Sequence, residues 1–189
     1  MKYTITAICF CIIAITSNAQ SASLQNILAD YYSLKNALVK DNVNAASASA
    51  GKLSADANAI NMQTLRPAEQ KAFSSVKDTI IYNAGHISEV GDIDHQREHF
   101  EALSNAMSLL AQSASLSQQP VYLDYCPMKK AYWLSNEKEI QNPYYGKQMP
   151  NCGNVTKTIM PGKEHSMQMN DNMQMDSSMS MNDTMPVSN

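Results

Sequence analysis

Between residues 24 and 110, apolar side chains recur at steps of three and four residues, the period of an amphipathic α-helix. Four such stripes can be distinguished, from Leu24 to Leu38, Ala46 to Ile60, Phe73 to Ile87 and Phe100 to Leu110. Cap and breaker residues separate them: Asp41 or Asn42, then Pro67, then Gly91-Asp92. Short connections between amphipathic helices predict an antiparallel four-helix bundle over residues 22–112, with one continuous third helix from Glu69 to Glu89.

Residues 120–159 differ in character, because aromatic, β-branched, proline and glycine residues replace the helical stripe. A polar run at Gln112–Gln119 indicates a linker before them. Val121–Tyr125 and Tyr132–Leu134 predict short extended pieces, and the prolines and glycines beyond them predict turns. We therefore expect an all-α fold, in which the bundle carries a small, loop-built or β-like, cysteine-containing appendage at 120–159.

The first 19 residues have the organisation of a cleavable secretory signal peptide. Lys2 provides the positive charge, Ile5–Ile15 the apolar run, and Ser17-Asn18-Ala19 the small residues before a cleavage site. The apolar run is shorter than the ~20 residues that a membrane-spanning helix needs. We expect a soluble, periplasmic mature protein without a membrane span.

The charge and the motifs of the sequence argue against several classes of function. The net charge is −3 and no basic cluster occurs, which argues against nucleic acid as a partner. The sequence lacks a Gly-rich phosphate loop, a nucleophile elbow and a motif of paired carboxylates, so it does not predict an enzyme. A redox enzyme that uses Cys126 and Cys152 is a weaker alternative, because the two are not a Cys-x-x-Cys pair.

Residues 160–189 are rich in methionine, and eight of the 13 methionines follow Ile159. Met-x-Met pairs recur every six residues after His165, at Met167 and Met169, Met173 and Met175, and Met179 and Met181. Their neighbours are polar, so the segment is expected to be disordered. Thioethers are soft ligands that select Cu(I) or Ag(I), and the pattern predicts a metal-capturing tail. The alternative is a low-complexity segment in which methionine has no role.

The two cysteines beyond the signal peptide, Cys126 and Cys152, allow two interpretations. Met128 lies two residues after the first and Met149 three residues before the second. Two thiolates with two thioethers form a donor set suited to Cu(I). In an oxidising compartment the same cysteines can instead form a disulfide that closes the appendage.

Three histidines form a second candidate site. His95 and His99 are four residues apart and share one helix face, and His86 lies near the end of the preceding helix. Three imidazoles around one ion would suit Cu(II) or Zn(II). The alternative is a set of ordinary histidines on a polar face. Arg97, in the same stretch, is expected to hold a carboxylate or backbone carbonyls at the appendage.

Several specific motifs carry a family resemblance. They are Cys126-Pro127-Met128, Trp133-Leu134-Ser135, Asn142-Pro143-Tyr144-x-Gly146, Met149-x-x-Cys152-Gly153 and, in the bundle, His95-Gln96-Arg97-x-His99-Phe100 with Leu103-Ser104. On these motifs, residues 24–159 resemble an uncharacterised family of periplasmic domains from Bacteroidetes. They are also similar to the C-terminal module of some periplasmic adaptor proteins of copper and silver efflux pumps. The resemblance implies heavy-metal handling.

Tyr125-Cys126-Pro127-Met128 also resembles a short Tyr-x-Cys-Pro-Met-His-Pro heavy-metal module, although Lys129 and Lys130 replace its His-Pro here. The sequence therefore predicts a periplasmic protein that sequesters or delivers Cu(I) or Ag(I) in copper resistance or efflux. Its partners would be the metal ion and an efflux adaptor or other copper-handling protein. The alternative is a metal-independent structural module that docks on an efflux adaptor, with Cys126 and Cys152 joined as a disulfide.

Overall fold

The structure, a computed structural model, describes residues 23–161 and corrects the predicted fold class. These residues form five α-helices and a three-stranded antiparallel sheet, so the expectation of an all-α four-helix bundle is wrong. The helices are α1 (Leu24–Val39), α2 (Val43–Ala59), α3 (Pro67–Ser74), α4 (Lys77–Glu89) and α5 (Ile93–Ser113). The strands are β1 (Val121–Cys126), β2 (Ala131–Ser135) and β3 (Asn154–Ile159), and single 3-10 turns occur at Met62–Thr64 and Gly146–Gln148.

The predicted third helix is two helices, α3 and α4, because the chain turns at Ser75 and Val76. The Ser75 hydroxyl donates to the Ala72 carbonyl at 2.7 Å, and the Val76 N–H donates to the Phe73 carbonyl with the tighter three-residue spacing. Serine side chains compete with the helical backbone for hydrogen bonds in this way. Phe73 and Val76 are nevertheless buried on either side of the turn, so the apolar stripe gave no sign of the break.

Helix α1 packs on α2, α2 on α4 and α4 on α5, while the short α3 packs mainly on α5, and α5 contacts the sheet through β2. Alanines at the α2 contacts, Ala46, Ala50 and Ala57, are fully buried and let the neighbouring helices approach closely. Tyr31 of α1 contacts both helix α5 and strand β2. Its ring stacks on Phe100 at 5.3 Å, and its hydroxyl is 2.7 Å from the Ser104 hydroxyl and accepts from the Leu134 N–H of β2.

The sheet has the strand order β2-β1-β3. Its inner residues belong to the same hydrophobic core as the helices, and Trp133 and Leu134 are completely buried. Strands β1 and β2 match the two extended pieces expected from sequence. Strand β3 was not predicted, because its residues are mostly exposed and no apolar alternation marks them. The β-branched run Val155-Thr156-Lys157-Thr158-Ile159 was the available signal.

No helix within residues 23–161 is long and apolar enough to span a membrane. The proposed signal peptide at 1–19 lies outside the described residues, as do His165 and the Met-x-Met pairs of the tail.

Candidate metal centre

The sheet and the loop before β3 bring Cys126 and Cys152 together, with their sulfur atoms 3.8 Å apart. Cys126 is the last residue of β1 and is completely buried. A tight turn follows it, in which the Lys130 N–H donates to the Cys126 carbonyl at 2.7 Å. Cys152 is half-buried and precedes β3. Neither cysteine forms a disulfide within the described residues.

Hydrogen-bond donors surround both sulfur atoms. The Lys129 N–H and the Asn142 side-chain amide donate to the Cys126 sulfur at 3.4 and 3.2 Å. The Met128 backbone N–H bonds to the sulfur of Cys152. Donors of this kind stabilise negative charge on sulfur, so the surroundings suit thiolates once a cation is present.

Asn142 orients the site, and its completely buried amide can face in one direction only. Its carbonyl oxygen accepts from the backbone N–H groups of Tyr144 and Tyr145, at 2.8 and 3.3 Å. Because those groups can only donate, the amide nitrogen must point the other way. There it donates to the Cys126 sulfur and, at 2.6 Å, to the Cys152 carbonyl. One side chain therefore holds both cysteines.

Gly153 lets the chain pass beneath Trp133 immediately after Cys152. Its φ of 153° lies in the region that favours glycine, and a Cβ there would stand 2.7 Å from the Trp133 ring and 2.9 Å from the Tyr125 carbonyl. The Met-x-x-Cys-Gly motif thus has a local explanation, since a larger residue at 153 would push Cys152 away from Cys126.

The sulfur separation of 3.8 Å fits a hydrogen bond between two thiols, in which either sulfur can be the donor. It also fits two thiolates on one tetrahedral zinc ion, which at Zn–S distances of about 2.3 Å lie about 3.8 Å apart. A disulfide needs the same atoms about 2.0 Å apart, so oxidation would require a further approach. Burial and the neighbouring Cys126 thiol raise the pKa of Cys152, while the Met128 N–H lowers it. The net effect keeps the Cys152 thiol protonated at neutral pH, and a bound cation would displace that proton.

Both predicted thioether ligands lie beside the cysteines in the chain. The Met149 carbonyl accepts from the Cys152 N–H, and Met128 is 64% exposed at the tip of the β1–β2 turn. Lys129, which stands where the heavy-metal module has histidine, pairs with Glu101 of α5 at 3.2 Å. That residue therefore fastens the turn to the helix.

The histidines meet on the α4–α5 face but do not converge. The Nε2 atoms of His95 and His99 are 3.2 Å apart. The rings of His86 and His95 both lie nearly parallel to that of His99, with centroid distances of 4.7 and 5.1 Å and planes inclined by 22° and 20°. Within residues 23–161, no group of three or more His, Cys, Asp or Glu side chains is arranged to hold a metal ion. The structure therefore offers two pairs of ligands, one of sulfur and one of nitrogen.

Two residues that position these pairs were missed from sequence, Asn142 and Asn83. The Asn83 side-chain oxygen is 3.0 Å from Nδ1 of His99. Asn142-Pro143 was recognised as a turn, but nothing in the sequence shows that its amide faces a sulfur atom. Asn83 lies on the apolar stripe of α4 between Ile80 and Ile87, and a polar residue on a buried stripe was the available signal.

Comparison with known proteins gives one match. Residues 27–119 match a family described as "Protein of unknown function (DUF3347)". No curated protein and no solved structure matches the chain significantly. The matched segment covers most of the helical part and ends before β1, so Cys126 and Cys152 lie beyond it. The helical part of this chain thus resembles an uncharacterised domain family, and the cysteine pair is an addition to the matched segment.

Proposed function

We propose that this protein binds a soft monovalent cation, Cu(I) or Ag(I), between Cys126 and Cys152, and sequesters or delivers it in the periplasm. The observation that carries the proposal is a pair of free thiols whose sulfur atoms lie 3.8 Å apart, close enough for both to bind one ion. Thiolates select soft cations over hard ones.

The surroundings of the sulfur atoms support ligation over a purely structural pair. A metal-bound thiolate keeps negative charge, and three N–H donors point at the two sulfur atoms. A disulfide sulfur carries no charge and gains little from such donors. The donors come from two backbone groups and one fully buried amide, so they are in place before the cation arrives.

The different exposures of the sulfur-containing side chains support a path by which a cation could enter the site. Met128 is 64% exposed, Cys152 is half-buried and Cys126 is buried, so the path would lead from solvent to the interior. In this scheme Met128, Met149 and the thioethers after Ile159 take up the cation. The two cysteines then bind it as thiolates and release two protons. Delivery to an efflux adaptor would reverse these steps.

The test is an anaerobic titration of reduced, full-length protein with Cu(I) against a chromophoric Cu(I) chelator. Cys152→Ser should weaken the tightest site by more than the ~10–100-fold that loss of an outer-shell partner causes. Asn142→Leu, which removes the amide donor, should weaken it within that range. Met128→Leu and Met149→Leu should each weaken binding less, because the two thiolates remain.

Met62→Leu is the matched control, since Met62 lies in the 3-10 turn before α3, outside the sheet and the turn that follows Cys126. Circular dichroism of each variant shows whether the fold survives. Equal chelator competition by wild type and Cys152→Ser would refute the proposal. Non-reducing mass spectrometry of metal-replete exported protein provides a second test. A quantitative Cys126–Cys152 disulfide there would favour the metal-independent docking module instead.

A further inference from the structure

Helix α5 begins with two histidines that share a face. Asp92 caps the helix by accepting from the His95 N–H at 2.8 Å, so the first turn is fixed. His99 follows one turn later, and its Nε2 atom is 3.2 Å from that of His95. His95 is exposed and His99 half-buried, so the gap between the two nitrogens opens to solvent.

The hydrogen bonds around Asn83 set the tautomer of His99. The Thr79 backbone carbonyl can only accept, so the amide group it contacts at 2.8 Å is the Asn83 nitrogen. The Asn83 oxygen therefore faces Nδ1 of His99 at 3.0 Å, and Nδ1 must carry the proton. In the neutral ring Nε2 is then unprotonated, and its lone pair faces the Nε2 atom of His95.

His86 has a different role. It reaches His99 from α4 and lies nearly parallel to that ring, and Tyr82 contacts both rings, with centroid distances of 4.4 Å to His86 and 6.2 Å to His99. His95 is also nearly parallel to His99, but its Nε2 atom meets that of His99, whereas His86 contacts His99 through ring stacking. The stack of His86 therefore limits rotation of His99 without supplying a ligand.

We propose that His95 and His99 form a second metal site, which binds a borderline divalent cation, Cu(II) or Zn(II), through their two Nε2 atoms with water completing the shell. Two imidazoles on a tetrahedral ion at about 2.0–2.1 Å have nitrogens about 3.3 Å apart, close to the distance found. Asn83 is the positioning residue, in the manner of the outer-shell acceptors that orient metal-bound histidines. His86 is not a ligand.

Burial and then the neighbouring His86 and His95 lower the pKa of His99, and Glu98 opposes them. The site uses nitrogen ligands and a divalent ion, so it is independent of the Cu(I) chemistry proposed for the cysteines.

The experiment follows the histidine ring nitrogens of full-length protein by two-dimensional NMR during titration with Zn(II). The readout is specific to imidazole, so zinc on the cysteines does not register. The Nε2 resonances of His95 and His99 should shift together at one equivalent of site-bound zinc, while those of His86 stay in place.

Substitutions sharpen the test. His95→Ala and His99→Ala should each abolish the coupled shift, whereas His86→Phe, which keeps a stacked ring, should leave zinc affinity unchanged. Asn83→Leu should weaken zinc binding about 10–100-fold, and Asn83→Asp, which still accepts from Nδ1, should restore it. Loss of binding in His86→Phe would overturn the two-histidine assignment. Unshifted His95 and His99 resonances in wild type would overturn the site altogether.

Discussion

Single side chains determine which atoms face a cation in both candidate sites. Asn142 and Asn83 are each buried amides whose orientation is fixed by a backbone group that can only donate or only accept. The remaining end of each amide then contacts a ligand, the Cys126 sulfur or the His99 ring. In both candidate sites, the hydrogen bonds of a buried asparagine thus fix the position of the side chain that would bind the cation.

Another residue, Asp124 of β1, is completely buried next to the core. Neither of its carboxyl oxygens has a hydrogen-bond partner among the described residues, and the same holds for the Lys35 amino group and the Tyr32 hydroxyl. Burial raises the pKa of Asp124 to about 7, and the positive charge of Lys35 opposes the rise. Burial likewise lowers the pKa of Lys35, against Glu137 and Asp124.

These shifts predict a pH-dependent stability. Unfolded Asp124 titrates near its ordinary value of about 4, whereas the folded protein keeps the proton up to about pH 7. Folding stability should therefore fall as the pH rises from 4 to 7, because the folded state binds the extra proton. Asp124→Asn should remove this slope and be more stable than wild type at pH 8.

Urea denaturation at pH 4.5, 6 and 8 measures the effect of Asp124. Asp78→Asn, on the exposed start of α4, is the matched control and should retain the wild-type slope. An unchanged slope in Asp124→Asn would show that this carboxyl is not the group responsible.

At the level of elements, Arg97 connects three parts of the fold. Its Nε atom donates to the Pro143 carbonyl at 3.0 Å, and Nη2 donates to the Leu38 carbonyl and to the Asp41 carboxylate. It is 6% exposed, so these bonds are shielded from water. Gly146, at φ +51°, passes so close to Asp41 and Arg97 that a Cβ would collide with both. The expected role of Arg97 at the appendage interface is therefore the one observed.

Replacing Arg97 should loosen the sheet region from the helices. Arg97→Met leaves the Asp41 carboxylate and two carbonyls without their partner, and should reduce the free energy of unfolding by about 3 kcal/mol. Arg97→Lys should restore only part of this free energy of unfolding. Lysine keeps the positive charge, but its ammonium group cannot form the same forked set of hydrogen bonds. Chemical denaturation measures both, with Lys52→Met as control.

The Lys52 side chain is 61% exposed and pairs with Asp56 of α2 and with Asp30 of α1, so its loss should cost less than that of the buried Arg97. Equal destabilisation by Arg97→Met and Lys52→Met would mean that Arg97 is no more than a surface charge.

The elements also show where sequence reasoning succeeds. The stripe of α1 and the caps at Asn42 and Asp92 were readable, because periodicity and capping are local properties. The pairing of β3 was not, because it depends on contacts with a distant strand, and the turn at Ser75 was hidden by an apolar stripe that continues through it. The 3.8 Å separation of the two sulfur atoms could not be predicted either, because 25 residues lie between Cys126 and Cys152 and the fold brings them together.

For the whole molecule, helices and sheet share one hydrophobic core, so the cysteine pair is held by the same packing that stabilises the helices. Trp133 of β2 and Tyr144 of the following loop meet at 6.0 Å, and Tyr144 also packs on Phe100 of α5. The Tyr144 hydroxyl donates to the Tyr132 carbonyl at 2.5 Å. Strand β3 closes this arrangement at Ile159, which is paired with Val121.

Truncation after Pro161 should therefore leave the fold intact, because the core is complete within residues 23–161. Circular dichroism and the thermal midpoint should match those of the full chain. The number of Cu(I) equivalents bound should fall, since seven thioethers and His165 are removed, while the tightest site at Cys126 and Cys152 remains. Oxidation of full-length protein to methionine sulfoxide should mimic the loss, because the soft sulfur becomes polar. If truncated and full-length protein bind equal amounts of Cu(I) in competition with a chelator, the methionine pairs do not capture metal.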